Sequence, residues 1–138
     1  MSMNKPVPTV MKFMTVMPHS VGFDQTIDMA HKIMSENSIR HLPVMKAGQI
    51  SGIVSDRDLK LAMSIRGVEA NKTTVDEVAS SEVFLVKPES KLDDVAKMMA
   101  EKKIGSVLVV DNHRLVGIFT TTDALKALNE LLHSRLTH

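Results

Sequence analysis

IRHLPVMKAGQISGIVSDRDL, residues 39–59, and IGSVLVVDNHRLVGIFTTTDA, residues 104–124, are one passage written twice. The offset is 65 positions and needs no gap. Ile39 falls on Ile104, Val44 on Val109, Gly52-Ile53 on Gly117-Ile118, and Asp58 on Asp123. The match extends outward, with Thr9-Val10 on Thr74-Val75, Val21 on Val86, Met34 on Met99, Glu36 on Glu101 and Ala62 on Ala127. It covers almost all of the 138 residues. Solenoid repeats run roughly 20–50 residues, so a longer unit reads instead as two copies of one small α/β domain. The copies are assigned to residues 7–68 and 72–136. Each alone would be marginal by surface-to-volume scaling. The expectation is therefore an α/β (α+β) fold in which two copies pack face to face and share a core.

Within each copy the elements follow from periodicity. Thr9–Met14 and Thr74–Ala79 read as one short helical turn each. Val83–Val86 is a short apolar strand closed by Pro88. Amphipathic helices are predicted over Thr26–Asn37 and Lys91–Lys103, with apolar residues such as Ile27, Ala30, Met34 and Leu92, Val95, Met99 on one face. Buried strands follow at Ile39–Met45 and Ser106–Val110, rich in β-branched residues. Turns at Lys46–Gly48 and Asp111–His113 lead to second strands at Ile50–Val54 and Leu115–Phe119. Final helices cover Asp56–Ile65 and Thr121–Leu136, and Gly67–Lys72 is a polar linker. The order is β-α-β-β-α, twice.

Composition excludes several classes of function. An apolar fraction of 43% and a charged fraction of 24% fit a globular domain rather than bulk disorder. No cysteine occurs, which removes disulfides, thiolate metal sites and cysteine nucleophiles. A net charge of +1 gives no broad field for nucleic acid or anionic membrane. Four Phe are the only aromatics, too few for a base-stacking platform. The opening MSMNKPVPTV lacks a signal-peptide layout, and no apolar run approaches a membrane span. The six histidines form no metal motif, and Gly48–Gly52 is one position off a nucleophile elbow and lies in a hairpin. The expectation is a cytoplasmic protein that is not an enzyme, with no catalytic cofactor and no metal. Leu125, Leu128, Leu131, Leu132 and Leu136 stand at helical spacing in the last helix, which reads as a packing or dimer helix.

The order "short helix, Thr, strand, amphipathic helix, I-R-H-L-P-V, turn, G-I-V-S-D-R-D-L" resembles a cystathionine-β-synthase (CBS) domain. I-G-S-V-L-V-V-D followed by G-I-F-T-T-T-D-A resembles a second one. The two together span nearly all of the sequence, so no attached domain is expected. The resemblance implies a CBS pair whose repeats pack pseudo-symmetrically through their sheets and bind an adenine nucleotide (AMP, ADP, ATP or a related adenosyl ligand) in the inter-repeat cleft. It implies a disc-like homodimer and a regulatory, energy-sensing role toward a separate partner protein. It also implies that the Asp of the G-h-h-S/T-x-x-D motif, Asp58 and Asp123, binds ribose.

The residues carry that chemistry on their own terms. Ser55 and Thr120 stand where a strand gives way to a helix, whose free N–H groups and dipole suit phosphate. A carboxylate one turn in accepts from both hydroxyls of a ribose. Arg40, His41 and Arg57 would face phosphate in the first copy. The second has Gly105, Ser106 and Thr122 there, so its site is expected either to be weaker or to take a less charged ligand. Family precedent borrows wall residues from the opposite repeat, which makes Ile104 and Gly105 candidates for the first site and Ile39 for the second. Ser55-x-x-Asp58 and Thr120-x-x-Asp123 equally resemble helix caps, a spacing repeated at Ser90-x-x-Asp93 and Thr73-x-x-Asp76. Only the two junctions have the Gly-apolar-apolar preface. The competing expectation is a structural dimer that keeps the fold without the ligand.

Overall fold

The computed structural model describes residues 6–16 and 18–136, with side chains to Ser134. His138 and the Leu136 side chain, the last position of the C-terminal apolar stripe, lie outside the described residues, as does the opening MSMNK. The architecture is mixed α/β with two sheets. In chain order the elements are β1 (Thr15–Val16), β2 (Val21–Gly22), α1 (Ile27–Asn37), β3 (His41–Lys46), β4 (Gln49–Ser55) and α2 (Asp56–Met63). They continue with β5 (Leu85–Val86), α3 (Leu92–Lys102), β6 (Ser106–Asp111), β7 (Arg114–Thr120) and α4 (Thr121–Leu136). Single 3₁₀ turns at Val10–Lys12 and Val75–Glu77 occupy the two predicted helical turns. No helix among the described residues is long and apolar enough to cross a membrane.

Each repeat builds its hairpin in the same way. β3 and β4 pair antiparallel from His41↔Ser55 to Lys46↔Gln49, with a bulge at Ser51. β6 and β7 pair from Ser106↔Thr120 to Asp111↔Arg114, with the bulge at Val116. The two-residue turns have positive φ throughout, 51° and 77° at Ala47-Gly48 and 49° and 64° at Asn112-His113. That is the type I′ pattern, whose twist matches the flanking strands. The preceding helices end the same way too. Ser38 (φ 53°) and Lys103 (φ 56°) adopt the left-handed conformation and turn the chain from helix to strand.

The chain divides into two compact units, and these are not the sequence repeats. One is Pro18–Val83; the other joins the N-terminal segment to Phe84 and everything beyond it. Sequence repeat and spatial unit partition the chain differently because the leading segments are exchanged. Thr9, at the start of the first repeat, bridges Lys91 of the second, and β1 pairs with β7 through Thr15↔Ile118. Thr74, at the start of the second, bridges Thr26 of the first, and Ser80 pairs with Ile53. Each pairing is the other shifted by 65 positions.

Both cores follow the predicted faces. In the Pro18–Val83 unit, Ile27, Ala30 and Met34 of α1 pack on Leu42, Val44 and Val54, with Leu59 of α2 and Val75 of the leading segment. In the other, Leu92, Val95 and Met99 of α3 pack on Val107, Val109 and Phe119, with Val10 contributed by its leading segment. Val10 and Val75 are wholly buried, so each exchanged segment anchors an apolar residue in its host.

Candidate functional site

The strand–helix junctions are where the sequence placed them, and both repeats build them alike. β3 starts beside the end of β4, bringing His41 opposite Ser55. The Asp56 N–H donates to the Arg40 carbonyl at 2.8 Å, tying the α2 N-terminus to the start of β3. The equivalent Thr121 N–H donates to the Gly105 carbonyl at 3.0 Å.

Ser55 caps α2. Its hydroxyl accepts from the Asp58 N–H at 3.0 Å, and Asp58 Oδ2 accepts from the Ser55 N–H at 3.0 Å. This reciprocal capping box satisfies donors that a helix start leaves free. Thr120 and Asp123 do the same at α4. The Asp123 N–H donates to Thr120 Oγ1 at 3.3 Å, and the Thr120 N–H donates to Asp123 Oδ2 at 3.0 Å. The predicted caps therefore exist at both junctions, and each uses only one oxygen of its carboxylate.

The two carboxylates differ in surroundings. Asp58 is partly exposed, and among the described residues no donor reaches its second oxygen. Asp123 is 8% exposed, the one buried charged residue among those described. Its Oδ2 also accepts from the Thr120 hydroxyl at 3.1 Å, and the Thr15 hydroxyl donates from 3.2 Å to Oδ1. Sequence reasoning missed Thr15. Its signal was weak: a hydroxyl recurs 65 positions on, as Ser80, just beyond each short helical turn.

Of the first-copy residues, Ile39, Arg40, His41, Ser55, Arg57 and Asp58 all belong to the Pro18–Val83 unit. Ile39 lies just ahead of β3 and packs against the core. Arg40 and Arg57 are exposed, and neither forms an ion pair among the described residues, so both guanidinium groups remain available. Burial pushes the His41 imidazole below its ordinary value, Asp58 pulls it back up, and Arg40 pushes it further down. Ile104, Gly105, Thr120, Thr122 and Asp123 belong to the other unit. There Ile104 packs on the core and Thr122 is exposed.

The preface glycines have an explanation inside the chain. A Cβ on Gly52 would stand 2.6 Å from the Ser80 carbonyl oxygen. On Gly117 it would stand 2.5 Å from the Met14 sulfur and 3.0 Å from the Thr15 carbonyl. Both glycines make room for an exchanged leading segment. At both junctions the close approach that the glycine permits is made by the protein's own chain.

Two β-α-β-β-α repeats, each with a hydroxyl-capped helix and an aspartate one turn in, define a tandem-repeat module of one recognisable class. The CBS domain model matches residues 3–65 and again 75–130, and the chain belongs to the CBS-domain family. It is 32% identical over 127 residues to the CBS domain-containing protein YhcV of Bacillus subtilis, covering 91% of this chain and 90% of that protein. The fold is similar to the crystal structure of a putative acetoin utilization protein (AcuB) from Vibrio cholerae, with a TM-score of 0.85 and 33% identity over 96% of this chain and 98% of that one. It is also similar to the CBS domain pair of protein MJ0100, solved with 5′-methylthioadenosine and S-adenosyl-L-methionine. There the TM-score is 0.78 and the identity 28%, covering 91% of this chain and 98% of that one.

Proposed function

We propose that this chain is a non-catalytic regulatory module that binds an adenosyl ligand, an adenine nucleotide or a thioether relative, at its strand–helix junctions. Asp58 and Asp123 hold the ribose, and Arg40, His41 and Arg57 give the first site its preference for phosphate. The module works as a homodimer that signals to a separate protein. The observation that carries this reading is Asp58: a partly exposed carboxylate at a helix start, with one oxygen that no donor reaches among the described residues, in the same unit as exposed Arg40 and Arg57, neither of them ion-paired there. The adenosyl ligands of the MJ0100 pair support the ligand class. Exposed Leu125, Leu128 and Leu132 on α4 support self-association.

The test is titration calorimetry with AMP, ATP, 5′-methylthioadenosine and S-adenosylmethionine. Each hydrogen bond to a charged group contributes about 1.5–3 kcal/mol, so Asp58→Ala should weaken first-site binding by roughly 10- to 150-fold. The fold should survive, because Ser55 still caps α2. No heat from any of these ligands at millimolar concentration would sink the proposal.

One observation favours a second reading, a structural dimer without a ligand. The capping boxes and the exchanged segments together account for Ser55, Asp58, Gly52 and their counterparts with no ligand invoked. A tight dimer whose melting temperature no adenosyl compound moves would support it, since binding to the native state raises that temperature.

A further inference from the structure

The leading segments occupy equivalent places but act differently on the two carboxylates. Thr15 pairs with Ile118 on β7, and its hydroxyl sits 3.2 Å from Asp123 Oδ1 and 3.4 Å from Oδ2. Ser80 pairs with Ile53 on β4, the same backbone position shifted by 65 residues. Its hydroxyl accepts from the Glu82 N–H at 3.2 Å and makes no hydrogen bond to Asp58 among the described residues. Among the described residues Asp58 therefore keeps an open oxygen, while both oxygens of the buried Asp123 carry donors from the chain itself.

A ribose binds a carboxylate by donating two hydroxyls, one to each oxygen. At Asp58 one oxygen is ready to accept. At Asp123 the Thr15 hydroxyl competes for the same lone pairs, and it is held there by the backbone pairing of β1. We propose that Thr15 is a gate on the Asp123 site. The two sites then fill in order, Asp58 first, and occupancy of the second requires the Thr15 hydroxyl to leave the carboxylate. A ligand reaching Asp123 thereby acts on the N-terminal segment, which gives the module a ligand-dependent element that the Asp58 site lacks. Thr15 is a positioning residue, and its gating role presupposes the adenosyl-binding role proposed above.

The test titrates the full chain with 5′-methylthioadenosine and with AMP. Wild type, Thr15→Val and Thr15→Ser are compared, each also in an Asp58→Asn background so that the second site reports alone. Thr15→Val keeps the β-branched shape and removes the donor; it should tighten the Asp123 site roughly tenfold, the worth of a hydrogen bond to a charged acceptor. Thr15→Ser keeps the donor and should behave like wild type. First-site affinity should not change in either. Thr15→Ala, which also lacks the donor, serves if the valine variant fails to fold, and thermal melts check that each variant is native. Thr15→Val binding no tighter than Thr15→Ser overturns the gate and leaves the adenosyl reading standing. Absence of binding by wild type and every variant at millimolar ligand overturns both.

Discussion

Gly52→Ala should destabilise the protein more than the equivalent Gly117→Ala, although the sequence presents the two glycines as copies. The methyl group added at Gly52 would stand 2.6 Å from the Ser80 carbonyl oxygen, with the Ala79 side chain at 3.7 Å. Backbone cannot rotate away, so the segment must retreat. Two reciprocal hydrogen bonds are then stretched, Ile53 N–H to Ser80 O and Ser80 N–H to Ile53 O, both 2.9 Å. At about 1 kcal/mol each the loss is about 2 kcal/mol. Replacing a strand glycine returns roughly 0.5–1 kcal/mol of chain entropy. The net cost is about 1–1.5 kcal/mol, or a melting temperature lower by roughly 3–6 °C for a chain of this size. At Gly117 the shortest approach, 2.5 Å, is to the Met14 sulfur, the far end of a flexible side chain. The Thr15 carbonyl at 3.0 Å needs only a small shift, so Gly117→Ala should cost less than about 1 kcal/mol. Urea unfolding of both variants measures the difference. Gly117→Ala in a Met14→Ala background should approach neutrality, a relief no single side-chain truncation gives Gly52. Gly52→Ala within about 0.5 kcal/mol of wild type, or less costly than Gly117→Ala, would refute the role given to the exchanged segment.

Two further predictions concern the turns and the first junction. Ala47 stands at φ 51° in a type I′ turn, a conformation that costs an ordinary L-residue about 1–2 kcal/mol. Ala47→Asn creates the preferred Asn-Gly pair and should stabilise by about 0.5–1 kcal/mol in urea unfolding; His113→Gly does the same for the second hairpin. Burial lowers the His41 imidazole in the folded state, so the unfolded chain takes up this proton first as pH falls. Its stabilising contribution is full above about pH 6.5 and is lost as pH drops from there through the lowered folded value. Unfolding midpoints should fall between about pH 7.5 and about pH 5.5, and His41→Gln should flatten that dependence. An unchanged slope in His41→Gln would remove His41 from the account.

Much of the fold was legible because the signals are local. The helical faces of Ile27, Ala30 and Met34, and of Leu92, Val95 and Met99, are buried as their spacing predicts. α4 runs from Thr121 to Leu136 as expected, while α2 stops at Met63, two residues short of the predicted Ile65. β3 begins at His41 rather than Ile39, because Ser38 in the left-handed conformation spends the next residues turning into the sheet. The Ser55–Asp58 and Thr120–Asp123 caps formed, whereas the same spacing at Ser90-x-x-Asp93 and Thr73-x-x-Asp76 did not: α3 has Lys91 at its cap position, and the second 3₁₀ turn pairs Thr74 with Glu77. Thr15 could not be singled out in this way, since it lies 108 residues from the carboxylate it meets.

Spacing along the chain sufficed for the duplication, the element order, the apolar faces and the two hydroxyl–aspartate junctions. Each of these is set within one stretch of residues, where helix and strand periods apply. Which hairpin each leading segment joins was settled in three dimensions. Two near-copies present matching pairing partners to each segment, so no local pattern can choose between them. The choice depends on chain connectivity and on which core receives Val10 and Val75. That choice explains Gly52 and Gly117. It also makes two aspartates that look alike in sequence unlike in space, with Asp58 open and Asp123 buried beneath the Thr15 hydroxyl.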